Sequence, residues 1–180
     1  MQKILAFGAS NSRSSINQQL AKFTAHQLKN VEVTILDLND FEMPIYGIDK
    51  EKDSGIPEKA QNFIDLLESH DAMIISLAEH NGNYTVAFKN VQDWASRLKK
   101  KMWGGIPIFL LSTSPGGRGG ANVMNVALQL MPRMGAEVVA HFSLPLFKDH
   151  FSEEGITNQE LKLEFEKQLS LFEKLLSTVS

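Results

Sequence analysis

Within eight residues, Ser10, Asn11, Ser12, Arg13, Ser14, Ser15, Ile16 and Asn17 place four hydroxyls, two amides and one guanidinium. Side chains of these types gather around an anion. An apolar run over residues 4–7 ends at Gly8 just before them, and Ile16, Leu20 and Leu28 recur at helical spacing after them. The order is strand, loop, helix. Such a loop adds the unpaired N–H groups of a helix N-terminus, where the macrodipole favours negative charge. The ligand this chemistry suits is a phosphate group. A plainer reading stands beside it, in which Ser14 or Ser15 simply caps the helix. The sequence has neither G-x-x-x-x-G-K-[ST] nor G-x-G-x-x-G. A hydroxyl-rich loop suits one terminal phosphate better than a pyrophosphate, which needs close backbone approach at glycines.

The elements that must position this loop alternate along the chain. Strand patterns cover residues 4–7, 31–36, 72–77, 106–111 and 137–142, several of them apolar nearly throughout. Strands buried on both faces have this composition. Helical patterns cover residues 17–29, the set Ala60, Phe63, Ile64 and Leu67, residues 88–100 and 121–134, and the set Leu161, Phe165, Leu169, Phe172 and Leu176. Five strands alternating with five helices predict an α/β fold: one open parallel sheet, covered on both faces, in strand order 2-1-3-4-5. Ligands of such sheets bind beyond the strands' C-terminal ends, where strand order reverses. The unusual loops fall there: residues 10–17 after the first strand, 78–84 after the third and 112–120 after the fourth. The connection over residues 37–56, with Pro44, Gly47 and Gly55, reads as a long loop that rims the site or contacts a second subunit, or is simply solvated.

The 180 residues suit one domain over the whole chain. A net charge of −3 without a basic patch argues against nucleic acid. There is no cysteine, hence no disulfide framework, thiolate metal site or cysteine nucleophile. The five histidines show no paired metal spacing, so no metal site is expected. No apolar run approaches the roughly 20 residues of a membrane span. Nor does a signal peptide pattern appear, which makes the cytoplasm the expected location.

Three motifs in order resemble the NADPH-dependent FMN reductase family, a flavodoxin-like family that includes chromate, quinone and azo-dye reductases. Residues 8–17 resemble its G-S-x-R-x-x-S-x-N loop. Lys89-Asn90 with Asp93-Trp94 resembles its K-N-x-x-D-W signature, and residues 114–120 its S-x-G-x-x-G-G loop. The third-strand loop departs from the family's T-P-E-Y-N-x-S-x-P-G: Ala78 stands for the first Pro, His80 for Tyr, and Thr85-Val86 for Pro-Gly, while Glu79 and Asn81 remain.

The resemblance implies a flavodoxin-like three-layer sandwich that binds FMN and takes its electrons from NADPH or NADH. A small-molecule electron acceptor receives them by a two-step hydride transfer. Ser10, Arg13, Ser15, Ile16 and Asn17 would hold the phosphate, with N–H groups from Ile16 and Asn17. Glu79, His80, Asn81 and Gly82 would meet the ring edge through backbone, and Ser114, Gly116 and Gly117 would close the other side. His80 could also face the ring or substrate, Lys89 an anionic flavin or a nucleotide phosphate, and Arg118 the NADPH phosphate. The cofactor does the chemistry, so no catalytic side chain is expected. The competing readings are a flavodoxin-like electron carrier without NAD(P)H oxidation and a phosphate-binding regulatory module. The resemblance also implies a homodimer or homotetramer. Phe88, Val91, Trp94 and Trp103, beside Lys99, Lys100 and Lys101, suggest an aromatic contact patch with a lysine rim.

Overall fold

The computed structural model describes residues 1–178. Strand β1 (Gln2–Ala9) is followed by helix α1 (Ile16–Gln27), β2 (Val31–Ile35), a 3-10 turn (Leu38–Phe41), α2 (Ile48–Ser54), α3 (Glu58–Glu68) and β3 (Ala72–Leu77). Two short strands, β4 (Glu79–His80) and β5 (Asn83–Tyr84), lead into α4 (Val86–Leu98) and β6 (Pro107–Thr113). Then come α5 (Ala121–Leu130), a second 3-10 turn (Pro132–Met134), β7 (Glu137–Leu144) and α6 (Phe147–His150). Strands β8 (Phe151–Ser152) and β9 (Gly155–Ile156) pair before α7 (Gln159–Thr178).

Five strands pair in parallel in the order β2-β1-β3-β6-β7. With β6 and β7 as fourth and fifth core strands, this is the expected 2-1-3-4-5 order of the flavodoxin-like fold. Alternation explains why its central strands read as apolar runs. Leu5, Phe7 and Ala9 of β1 join Met73, Ile75 and Leu77 of β3 in a core under α3, α4 and α5. Ile4, Ala6, Ala72 and Ile74 point the other way, into a core with α1 and α7 built around Phe109, Phe165 and Phe172. Side chains of period two on a sheet covered twice leave no polar face.

Register brings the site loops to one level. Ala9 stands opposite Leu77, and Leu77 opposite Ser112. Strands β1, β3 and β6 therefore end together, at the crevice where the order reverses between β2 and β3 around β1.

Several expectations change in detail. The helix expected over 121–134 stops at Leu130 and resumes as a 3-10 turn at Pro132, because proline lacks the N–H and its ring crowds the preceding turn. Helix α4 starts earlier than expected, at Val86, because Thr85 caps it: Oγ1 accepts from the Phe88 amide at 3.2 Å. Thr85 also donates to the Ala9 carbonyl at 2.9 Å, tying the start of α4 to the end of β1.

The connection over 37–56 is not a plain loop, since the Leu38–Phe41 turn and α2 lie within it. The aromatic patch is likewise corrected. Phe88, Val91, Trp94 and Trp103 are all buried. Phe88 faces the sheet core, 6.1 Å from Phe7 between ring centres. Trp94 lies under the 43–46 segment, where Nε1 donates to the Pro44 carbonyl at 2.7 Å and the ring meets Tyr46 edge-on at 5.0 Å. The chain covers its own aromatics.

Candidate functional site

The close packing of α1 on β1 builds the first wall. A Cβ at Gly8 would lie 2.4 Å from the Gln18 amide nitrogen and 2.8 Å from the Asn17 carbonyl carbon, so only glycine admits the helix here. Gln18 then bridges strands: Oε1 accepts from the Gly8 amide at 2.5 Å, and Nε2 donates to the Leu36 carbonyl at 3.0 Å. Asn17, buried, spends its whole side chain on the sheet. Its Nδ2 donates to the Thr113 carbonyl at 3.1 Å, while Oδ1 accepts from Ser76 Oγ at 2.8 Å and from the Thr113 amide at 3.0 Å. Both α1 and the loop before it are thereby pinned to β3 and β6.

The plain capping reading holds for Ser15, whose Oγ accepts from the Gln18 amide at 3.1 Å. Its hydroxyl proton remains free to donate. The amides of Ile16 and Asn17 have no backbone partner among the described residues, and Ser10 Oγ accepts from the Ser12 amide at 3.2 Å. Arg13 is exposed and forms no ion pair among the described residues.

A cavity of about 280 Å³ opens above these groups, lined by Ser10, Ser12, Ser14, Ser15, Ile16 and Asn17 on one side and by Ala78, Glu79, His80, Thr113, Ser114 and Pro115 on the other. Ser10, Ser15, Ile16 and Asn17 therefore converge on one cavity with Glu79, His80 and Ser114. Arg13, Asn81, Gly82, Gly116 and Gly117 belong to the same loops without lining this cavity. Gly116 and Gly117 are exposed, and a Cβ on either would meet at most one atom, 3.9 Å from Gly116. The fold itself does not require glycine at those two positions. Their bare backbone leaves room for a flat ligand against the loop. Hydroxyl-rich wall, free helix amides and bare loop backbone together fit FMN.

The β4–β5 pair is a hairpin whose two-residue turn, Asn81-Gly82, has φ of 52° and 78°. Both positions need positive φ in the hairpin turn that matches strand twist, which is why Asn-Gly occupies it. The hairpin was not among the elements expected from the sequence. The Asn-Gly pair was a signal for it, but two-residue strands are too short to show alternation. Glu79 turns its carboxylate toward the start of α5. Oε2 accepts from the Val123 amide at 3.0 Å and Oε1 from Asn122 Nδ2 at 3.1 Å. It thus caps α5, whose own cap residue, Gly120, has no side chain to do so. Tyr84, opposite Glu79, is buried against Phe88, and burial pushes its phenol well above the usual range.

A second cavity, of about 340 Å³, lies between the first loop, the 38–45 segment and the start of α4. Phe41, Met43, Ile45, Val86 and Ala87 give it apolar walls, and Asn11, Asn39 and Glu42 polar ones. His80 lines both cavities. The signature Lys89-Asn90 and Asp93-Trp94 is the strip that docks this segment. Asn90 donates to the Met43 and Pro44 carbonyls at 3.0 and 3.2 Å and accepts from the Tyr46 amide at 2.8 Å. Lys89 pairs with Asp93 at 2.5 Å, one helical turn away. A further latch joins Arg97 Nε to Glu51 at 2.9 Å, with Tyr46 donating to the same oxygen at 3.0 Å. The Arg97 bond leads in holding the Glu51 carboxyl below its ordinary range. Arg118 is exposed at the rim of the 114–120 loop.

Residues 2–149 match the family model described as NADPH-dependent FMN reductase. The chain belongs to that family. Among curated relatives it is similar to a 2-hydroxy-1,4-benzoquinone reductase of Burkholderia sp, 33% identical over 121 residues, covering 66% of this chain and 64% of that protein. The match thus spans less than two thirds of the relative's length. FerB, a flavoenzyme NAD(P)H:(acceptor) oxidoreductase from Paracoccus denitrificans, superposes over 97% of this chain and 98% of its own with a TM-score of 0.73 at 23% identity. A mutant flavodoxin from Pseudomonas aeruginosa superposes at a TM-score of 0.57 and 15% identity, covering 97% of this chain and 99% of its own. These two structures share the family's fold. Among the described residues, no helix is long and apolar enough to cross a membrane.

Proposed function

We propose that the protein is an NAD(P)H-dependent reductase that holds FMN in the cavity at the ends of β1, β3 and β6 and passes electrons to a small-molecule acceptor. The observation that carries this reading is the loop over residues 10–17, with free amides at Ile16 and Asn17 and unspent hydroxyls around a cavity at the strand-order reversal. When bound, FMN supplies the redox chemistry, in two half-reactions with one substrate at a time. The chain's own residues bind and orient. Ser10, Ser15 and the two free amides take the phosphate, with Arg13 closing over it from the solvent side. Backbone of Ala78, Glu79 and His80 and of the loop around Ser114, Gly116 and Gly117 flanks the ring. The family model favours a reductase over a carrier lacking NAD(P)H oxidation. Use of NADPH or NADH is consistent with the cytoplasm, the location expected from the sequence.

The phosphate assignment has a direct test. Arg13 is exposed and unpaired, so Arg13→Ala should leave thermal stability of the apoprotein unchanged. It should weaken FMN binding by roughly 10- to 100-fold, the equivalent of one charge-assisted hydrogen bond. Ser15→Ala should add a further loss in affinity and also cost about 1 kcal/mol of stability, because it removes the cap. Fluorescence titration of FMN reads the first effect and denaturant unfolding the second. Unaltered affinity in the double variant moves the phosphate elsewhere.

We also infer a homodimer or higher homo-oligomer, with a contact different from the aromatic patch. Ile45, Ile48 and Val86 are 65%, 50% and 64% exposed. Ile45 and Val86 line the second cavity, so a partner seated on this patch roofs it. Sedimentation of the FMN-loaded protein should give a dimer or larger, which Val86→Glu weakens. A clean 20.1 kDa monomer at micromolar concentration contradicts the assembly.

A further inference from the structure

We propose that Asn81-Gly82, at the tip of the β4–β5 hairpin, is a self-modifying site. The Asn81 side chain closes onto the Gly82 nitrogen as a succinimide, which water reopens as isoaspartate or aspartate. This chemistry belongs to the chain itself and stands apart from the FMN reading.

Both reacting groups are free. Asn81 is exposed, and neither its side-chain amide nor the Gly82 N–H has a hydrogen-bond partner among the described residues. The two turn residues lie outside the ladder, whose pairs are Glu79–Tyr84 and His80–Asn83. Glycine puts no side chain beside the nitrogen that attacks. Neighbouring asparagines differ in the amide that follows them. The Tyr84 amide donates to Asn83 Oδ1 at 2.8 Å, and the Val123 amide after Asn122 donates to Glu79 at 3.0 Å. The Asp40 amide after Asn39 donates to the Asp37 carbonyl at 3.1 Å. Asn62 lies inside α3, where the helical ladder holds the next amide. The hairpin is fixed at its ends and not at its tip. Glu79 is anchored to the start of α5, Tyr84 is buried, and Thr85 is tied to Ala9. Ring closure needs rotation within Asn81, which an exposed tip can make while both ends stay in place.

Water is the one co-reactant, and no electrons change hands. The Gly82 nitrogen gives its proton to solvent base and bonds to Asn81 Cγ. The Cγ–Nδ2 bond breaks, and Nδ2 leaves as ammonia. Water then opens the ring at either carbonyl. Attack at Cγ restores the ordinary main chain with aspartate at position 81. Attack at the main-chain carbonyl carbon leaves isoaspartate, whose main chain runs through Cγ and is one atom longer. Either product adds a negative charge to a chain of net charge −3. The longer main chain no longer fits a two-residue turn matched to strand twist, so the His80–Asn83 pair opens. His80 lines both cavities, which carries the change to the rim they share.

The test ages the purified protein in mildly alkaline buffer and maps its tryptic peptides by tandem mass spectrometry against an unaged control. One peptide, residues 60–89, carries Asn62, Asn81 and Asn83 together, so the sites are compared within one molecule. Asn81 should be lost while Asn62 and Asn83 stay intact. The loss should be slower in mildly acidic buffer, because the attacking nitrogen must shed its proton. An isoaspartyl methyltransferase should methylate the aged protein but not aged Asn81→Gly, which tolerates the positive φ and has no side-chain amide. Intact Asn81 after ageing, or equal loss at Asn83, overturns the site. Hydrogen exchange reads the structural consequence. Amides of residues 79–84 should lose protection in the aged protein and keep it in Asn81→Asp, which carries the charge without the inserted atom. Equal protection in aged and fresh protein overturns the opening of the hairpin.

Discussion

Gly8→Ala is expected to cost roughly 3 kcal/mol of stability, the upper part of the usual range for overpacking, and to abolish FMN retention. The added methyl would sit 2.4 Å from the Gln18 nitrogen and 2.8 Å from both the Asn17 carbonyl carbon and Gln18 Cα. All three atoms are backbone, so no rotamer change relieves the contact. Helix α1 must lift from β1. That movement strains the Gly8–Gln18 bond and the bridge from Gln18 to Leu36. It also carries the free amides of Ile16 and Asn17 off the cavity wall. Denaturant unfolding followed by circular dichroism, with FMN fluorescence on the same samples, measures both losses. A variant within about 0.5 kcal/mol of the parent, the range of an ordinary surface change, contradicts the packing argument.

The second large effect is at Asn17. Truncation to alanine leaves Ser76 Oγ and both backbone polar groups of Thr113 without their partner in a buried setting. Each unsatisfied group costs about 1–3 kcal/mol, so a total of roughly 2–4 kcal/mol is expected after partial relaxation. Asn17→Asp is expected to be at least as damaging. It keeps both acceptor roles but sets a second carboxylate oxygen against the Thr113 carbonyl oxygen in a buried setting, and its charge repels a phosphate. If the Asn17→Asp protein binds FMN like the parent, no phosphate approaches α1.

The parts of this fold visible in the sequence are those where one physical signal dominated. Strands β1, β3 and β6 are buried on both faces and are apolar over most of their length, so their runs stood out. The loop over 10–17 combined hydroxyls, amides and a strand-to-helix transition, and the structure places it around a cavity. Helix α2 was invisible because it buries no residue and carries no apolar stripe. The aromatic surface of α4 was misread for a related reason. One face of α4 packs on the sheet, and the 43–46 segment covers another. Only the hydrogen bonds of Asn90 and Trp94 to that segment reveal it. Thr85 looked like a departure from a family loop, and it proves to be the cap that joins α4 to β1. The side chain of Glu79 caps α5 from a different loop, a contact between residues 44 positions apart that no local pattern encodes.

The central claim is that this site loads FMN and turns over NAD(P)H against a separate acceptor. An anaerobic two-stage mixing experiment tests it most directly. Protein reconstituted with FMN and freed of excess cofactor is mixed with NADPH or NADH, and the flavin absorbance near 450 nm is followed. Duroquinone is then added. The account predicts bleaching with one equivalent of reduced nicotinamide consumed per FMN, followed by full recovery of colour on adding the quinone. Protein that retains no FMN, or that retains it but is not bleached by either nicotinamide, contradicts the account.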